Sequence, residues 1–209
     1  MGNQSNLSKL NRVGNRLCLD FVNTSGWLES ENPSEWLIDY GGLVEWGVLG
    51  GLITEEVGKT LAERAERFPD LARKTYDQAI RLRKSIFLIF RAVIKGIEVE
   101  QGDLSLLNDW LRRASKYERL TVTDNGRFSF VLQDEAEWDV VLWHVAKSAG
   151  DLLASTEISR VKQCEGDDCG WMFLDTSRNH SRRWCSMEDC GNRVKVKRHY
   201  QRHLAKGKE

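Results

Sequence analysis

The chain has 209 residues, 41% of them hydrophobic and 30% charged, which supplies a core and argues against global disorder. Lys+Arg and Asp+Glu balance at 31 each, so net charge alone points to no nucleic-acid or membrane partner. The longest apolar run, residues 86–90, is far too short for a transmembrane span, and residues 1–16 hold no apolar signal-peptide core. A soluble, cytoplasmic protein without membrane contact is expected, built as one domain plus a small module. The 2 prolines permit long helices, and the 8 tryptophans supply large anchors for burial.

In chain order, residues 16–22 form a short apolar run broken by Asp20, a buried strand or the entry to a helix, ended by residues 23–26. From Ser34, an N-cap candidate, Trp36, Leu37, Tyr40, Leu43 and Val44 recur at helical spacing. Gly50-Gly51 interrupts, and Thr54-Glu55-Glu56 opens the next helix with acids in its first turn. The clearest helix runs from about Asp70 to Glu98, its stripe formed by Ala72, Tyr76, Ala79, Ile80, Phe87, Phe90, Val93, Ile94 and Ile97. Another covers Asp103 to Lys116. Residues 120–123 and 127–131 flank Asp124-Asn125-Gly126, a hairpin signal in which Asn-Gly suits a type I′ turn. Residues 135–155 return to helical period through Trp138, Val141, Leu142, Val145, Leu152 and Leu153. The fold class is mainly α with a small β-hairpin over residues 1–155.

Residues 156–209 are too few to bury an adequate core alone and call for a staple. Four of the five cysteines lie there, as Cys164-x4-Cys169-x15-Cys185-x4-Cys190. Two close pairs with a medium gap let two turns converge as four thiolates around a tetrahedral ion, which favours one structural Zn²⁺ with no open position. Gly170 and Gly191 follow each pair and suit the tight turns that aim N–H groups at sulfur. Two disulfides, an iron–sulfur cluster, or His180 or His199 replacing one thiolate are the alternatives. Cys18 reads as a small buried hydrophobe.

From Gly191 onward a helical projection puts Val196, Tyr200, His203 and Leu204 on one arc and Lys195, Arg198, His199, Arg202 and Lys206 on the next. The apolar arc is expected to dock on the zinc core, leaving a zinc knuckle module with a basic helix facing outward. Arg178, Arg182 and Arg183 add to the same pole. Candidate nucleic-acid ligands are therefore Arg178, Arg182, Arg183, Arg193, Lys195, Lys197, Arg198 and Arg202, with double-stranded DNA as the partner. A solvated basic tail is the plainer reading. Trp171, Trp184 and Tyr200 suggest instead an RNA- or protein-interaction adaptor.

The segment Arg182-Arg183-Trp184-Cys185-Ser186-Met187, with Cys190-Gly191-Asn192-Arg193, resembles the hallmark of CGNR zinc fingers, as does Phe173-Leu174-Asp175-Thr176-Ser177. Upstream, Leu17-Cys18-Leu19-Asp20-Phe21-Val22-Asn23-Thr24 is similar to the opening motif of the ABATE domain, and the Trp36, Leu37, Asp39, Tyr40, Leu43, Trp46 spacing also fits. In bacteria that domain precedes the finger in stress-induced transcription regulators. The resemblance implies a DNA-binding regulator with an N-terminal regulatory domain at residues 1–155 and the finger at 156–209. That domain would serve effector sensing or dimerisation, its candidate partners a small-molecule effector and a second copy.

Asp20, Asn23 and Thr24 put polar groups in or beside an apolar run, as the lining of an effector pocket or, alternatively, as an internal Arg partner and helix caps. No phosphate loop, nucleophile elbow or HExxH is present, and His144 has no nucleophile beside it in sequence, so no enzyme is expected. The zero net charge hides a dipole. Residues 176–209 hold 10 Lys+Arg against 3 Asp+Glu, a net of +7, and residues 1–175 hold 21 against 28, a net of −7.

Overall fold

The run at residues 16–22 is a helix, α1 (Leu17–Val22), with Cys18, Leu19, Phe21 and Val22 all buried. The computed structural model describes residues 7, 12–26, 34–123, 125–132, 136–167, 169–197 and 200. Ser34 does not cap a helix. Ser34–Glu35 (β2) pairs antiparallel with Ser25–Gly26 (β1), and α2 (Tyr40–Leu49) begins behind Asp39, whose carboxylate accepts the Gly42 N–H at 2.9 Å. The reason is Glu35: its carboxylate grips Arg83 through both oxygens and accepts the Leu37 N–H at 2.9 Å, which holds the segment extended.

Thr54 caps α3 (Glu55–Arg67), accepting the Val57 N–H at 3.2 Å. The long helix α4 (Pro69–Lys95) has Pro69 in its first turn and stops at Gly96. Its buried face is Ala72, Thr75, Ala79, Leu82, Arg83, Ser85, Ile86, Ile89, Phe90 and Ala92, rotated from the expected stripe. Val93 and Ile97 are exposed. Arg83 sits on the buried face because Glu35 and the Thr24 hydroxyl, 2.9 Å away, neutralise and saturate it. Helices α5 (Gln101–Ala114) and α6 (Val140–Leu153) complete the body, α5 packing on both α4 and α6, and α1 on α4 and α6. Helix α6 is apolar on most sides, with Trp143 stacked on Tyr117 at 3.8 Å, and is the central helix.

Strands β3 (Glu118–Val122) and β4 (Phe128–Leu132) form the expected hairpin. Its turn is not type I′: Gly126 has φ +75° while Asn125 keeps negative φ, and the Gly126 N–H donates to the Thr123 carbonyl at 2.8 Å. Gly126 supplies the left-handed residue that closes this loop.

Beyond α6, a 3-10 turn (Thr156–Arg160) leads into a second hairpin, β5 (Val161–Gln163) and β6 (Met172–Leu174), in antiparallel register. Val161, Met172 and Leu174 are buried in the same apolar core as α1, α4 and α6. The C-terminal module thus has its root inside the helical body.

Candidate metal centre and basic surface

The two hairpin strands of the module carry the first cysteine pair in the loop between them. Cys164 follows β5, and its N–H donates to the Trp171 carbonyl at 2.7 Å, closing that loop. Gly170, at φ +71°, supplies the left-handed residue after Cys169. The second pair is set by Met187–Gly191, a single π-type turn capped by Ser186, whose hydroxyl accepts the Glu188 and Asp189 N–H groups. Gly191 lies in this turn, not in the left-handed region; a Cβ there would meet the flexible end of Met187, Sδ at 2.9 Å, which can turn aside.

The sulfurs of Cys164, Cys169, Cys185 and Cys190 all lie within 4.8 Å of one another and are buried. Cys169 and Cys185 are 3.7 Å apart, Cys185 and Cys190 3.6 Å. A tetrahedron with metal–sulfur bonds of about 2.3 Å has sulfurs about 3.8 Å apart, whereas a disulfide needs about 2.05 Å. The arrangement therefore fits four thiolates around a metal ion. Donors already face the sulfurs: the Cys185 and Gly166 N–H groups reach Cys164 Sγ at 3.2 and 3.4 Å, and the Arg193 guanidinium reaches Cys190 Sγ at 3.0 Å. Hydrogen bonds from Cys169 and Cys185 hold the Cys164 thiol well below the ordinary thiol range, and the same contacts push those two thiols up. His180 is not in this cluster; its Nδ1 lies 3.4 Å from the Asp175 carbonyl. His199 lies outside the described residues.

Two residues that spacing did not single out frame the cluster. A Cβ on Gly166 would lie 3.0 Å from Cys190 Sγ, so any larger residue would press on the cysteine cluster where the two knuckles meet. Asp175 is fully buried and accepts from Lys162 Nζ at 2.7 Å, Ser177 N–H at 3.0 Å and Arg182 N–H at 2.9 Å. Burial acts to raise its carboxyl, and these donors outweigh it and hold the group ionised. A buried Asp between two cysteine pairs was the available signal.

The predicted basic residues divide. Arg182 is committed inside the protein: its guanidinium donates to the carbonyls of Val13 at 3.1 Å, Trp184 at 3.0 Å and Cys185, and lies 4.1 Å above the Phe173 ring. Arg178, Arg183, Arg193, Lys195 and Lys197 are exposed, with Arg183 paired to Glu165 and Lys197 to Asp167. Arg198 and Arg202 lie outside the described residues. The helical segment 192–197 does not dock as expected, for Val196 is 59% and Tyr200 68% exposed. His203, Leu204 and Lys206 lie outside the described residues. Trp171 is turned inward, donating to the Ser25 carbonyl at 2.9 Å and edging Trp36 at 5.8 Å.

The polar group near α1 is likewise used internally. Asn23 and Met172 exchange two hydrogen bonds, Thr24 donates to the Phe21 carbonyl at 2.6 Å, and Asp20 accepts the Gly14 N–H at 2.8 Å. Burial pushes Asp20 up to about 6, against the Gly14 bond and the Arg12 charge. A cavity of about 590 Å³ lies elsewhere, between β4, α6 and the 3-10 turn.

Residues 15–156 match the ABATE family model, described as "Putative stress-induced transcription regulator". The chain belongs to the ABATE family. Residues 160–203 of this ABATE protein match the CGNR zinc finger, the stretch in which the four sulfurs converge. Both descriptions are of regulators or zinc fingers, not of enzymes. None of the curated proteins matches the chain. Among the described residues, no helix is long and apolar enough to cross a membrane.

Proposed function

We propose that this ABATE protein is a DNA-binding transcriptional regulator. Its C-terminal module would use Cys164, Cys169, Cys185 and Cys190 to hold one structural Zn²⁺ and offer a basic surface to double-stranded DNA, with the helical body as the regulatory part. The observation that carries this is the convergence of four sulfurs at the root of a helical segment bearing Arg193, Lys195 and Lys197. Zinc held there supplies a cross-link with no open position. Arg193 bridges the two features, touching Cys190 Sγ while standing at the surface. Arg183 and Lys197 form half-exposed ion pairs, which exchange readily for phosphate. Of the three aromatics that favour an adaptor, Trp171 is committed inward, while Tyr200 stays exposed.

The test is duplex binding by fluorescence anisotropy across a salt series. Affinity should fall linearly in log–log form, and K195A/K197A should weaken binding and flatten the slope by about 0.9 for each phosphate that is no longer neutralised. Equal binding by the variant, or preference for structured RNA in competition, would overturn the reading.

A further inference from the structure

The cleft of about 590 Å³ between β4, α6 and the 3-10 turn has the size of a small-molecule site. Its apolar lining comes from Phe130 and Leu132 of β4 and Leu152 of α6. Phe130 is 61% exposed, a large ring left to water on a concave surface. The polar lining is organised as ion pairs. Arg16 holds Glu157, and Lys147 holds Asp151 at 3.4 Å.

Two features give this cleft an excess of negative charge. Lys147 is shared, for it also reaches Glu118 at 2.9 Å. Among the described residues paired along the cleft, three carboxylates therefore meet two cations, with His144 counted neutral at pH 7. The second feature is α6 itself. Its last turn brings Asp151 and Leu152 to the lining, and that turn has no basic residue. A helix C-terminus carries partial negative charge, which a cation stabilises and an acid such as Asp151 reinforces. Asp151 is accessible, its side chain 67% exposed.

We infer that the cleft binds small amphipathic cations, amines that carry an aromatic or aliphatic body. The charged head sits by Asp151 at the carbonyl end of α6, and the body covers Phe130, Leu132 and Leu152. An anion fits worse, because Glu157 already matches Arg16 and a further negative charge would oppose the surplus carboxylate. The Arg16–Glu157 pair ties the start of α1 to the turn that leads into β5, so an occupant sits on the link to the zinc module. Only that consequence rests on the regulator reading; binding does not.

Isothermal titration calorimetry of the full chain without DNA tests the site, so it and the DNA-binding reading fail separately. The probes are phenethylamine, phenethyl alcohol and hydrocinnamate, which share a body and differ in charge. Phenethylamine should bind with a Kd on the order of 0.1–1 mM. The alcohol should bind about fivefold more weakly and the carboxylate at least about tenfold. D151N should weaken the amine about fivefold and leave the alcohol unchanged, whereas F130S should weaken both. If either variant folds poorly by circular dichroism, added salt makes the distinction on the wild type, weakening the amine and sparing the alcohol. No amine binding at ~10 mM, hydrocinnamate binding as tightly as the amine, or an amine indifferent to D151N would overturn the inference.

Discussion

Asn23 and Met172, 149 residues apart in sequence, are joined by a two-way hydrogen bond: Asn23 Nδ2 donates to the Met172 carbonyl at 2.8 Å, and the Met172 N–H donates to Asn23 Oδ1 at 2.9 Å. Both residues are buried. The side-chain amide acts as a strand partner for β6 and ties the zinc module to the end of α1. Asn23→Ala strands one buried donor and one buried acceptor, so it should cost about 2–4 kcal/mol of unfolding free energy in urea melts. A loss below about 0.5 kcal/mol would mean that water replaces the amide and that this clasp does not hold the module.

Metal removal follows from the same root. Val161, Met172 and Leu174 belong to the core of the helical body, while the cysteine loops beyond them rest on the sulfur cluster, a small apolar cluster around Phe173 and a few contacts to the body such as Trp171 on Trp36. A strong chelator should therefore release residues 164–171 and 175–197 but leave β5 and β6 folded. Hydrogen exchange read by mass spectrometry should lose protection in the two loops alone. Equal loss at 161–163 and 172–174 would show that the hairpin depends on the metal instead of on the body.

Asp20 makes stability depend on pH. Its folded value of about 6 lies above the ordinary 3.8, first because of burial. Between those two values the folded chain binds the extra proton, so stability is greatest below the window, falls as pH rises through it, and is level above. Asp20→Asn keeps an acceptor for the Gly14 N–H and removes the buried charge. It should gain on the order of 1–2 kcal/mol at neutral pH and abolish the slope between about pH 4 and about pH 6. A wild-type profile flat over that interval would contradict the assignment.

Legibility from sequence tracked how local the determining physics was. The cysteine cluster was readable because ligand spacing is a short-range property, α3 because its Thr54 cap is local, and α4 and α6 because their apolar periodicity is. The Ser34 helix start failed because Glu35 finds Arg83, 48 residues on, and prefers the extended chain that reaches it. The α4 stripe was rotated for the same reason, since that partner buries an arginine. Asn23 and Thr24 do close α1 as cap residues, but their long-range partners, Met172 and Arg83, were not legible because they are distant in sequence. The core that residues 161–163 and 172–174 share with the helical body was not legible, because it depends on which strand α1 meets.

The adjacent arginines of the finger offer the sharpest contrast. Arg182 spans three backbone carbonyls and an aromatic ring, including Val13 ahead of α1, whereas Arg183 pairs with Glu165 at the surface and lies 5.4 Å over the Trp184 ring. Arg182→Ala should cost about 2–3 kcal/mol, because the carbonyls lose a charged donor in a partly buried site. Arg182→Lys should recover little of this, since an ammonium cannot reproduce the planar fork. Arg183→Ala should leave stability unchanged within error and lower duplex affinity, because its exposed guanidinium is free to trade Glu165 for phosphate. Denaturation and anisotropy on the same three variants separate the roles. If Arg182→Ala keeps its stability and loses only DNA affinity, the guanidinium serves the ligand and not the junction between finger and body.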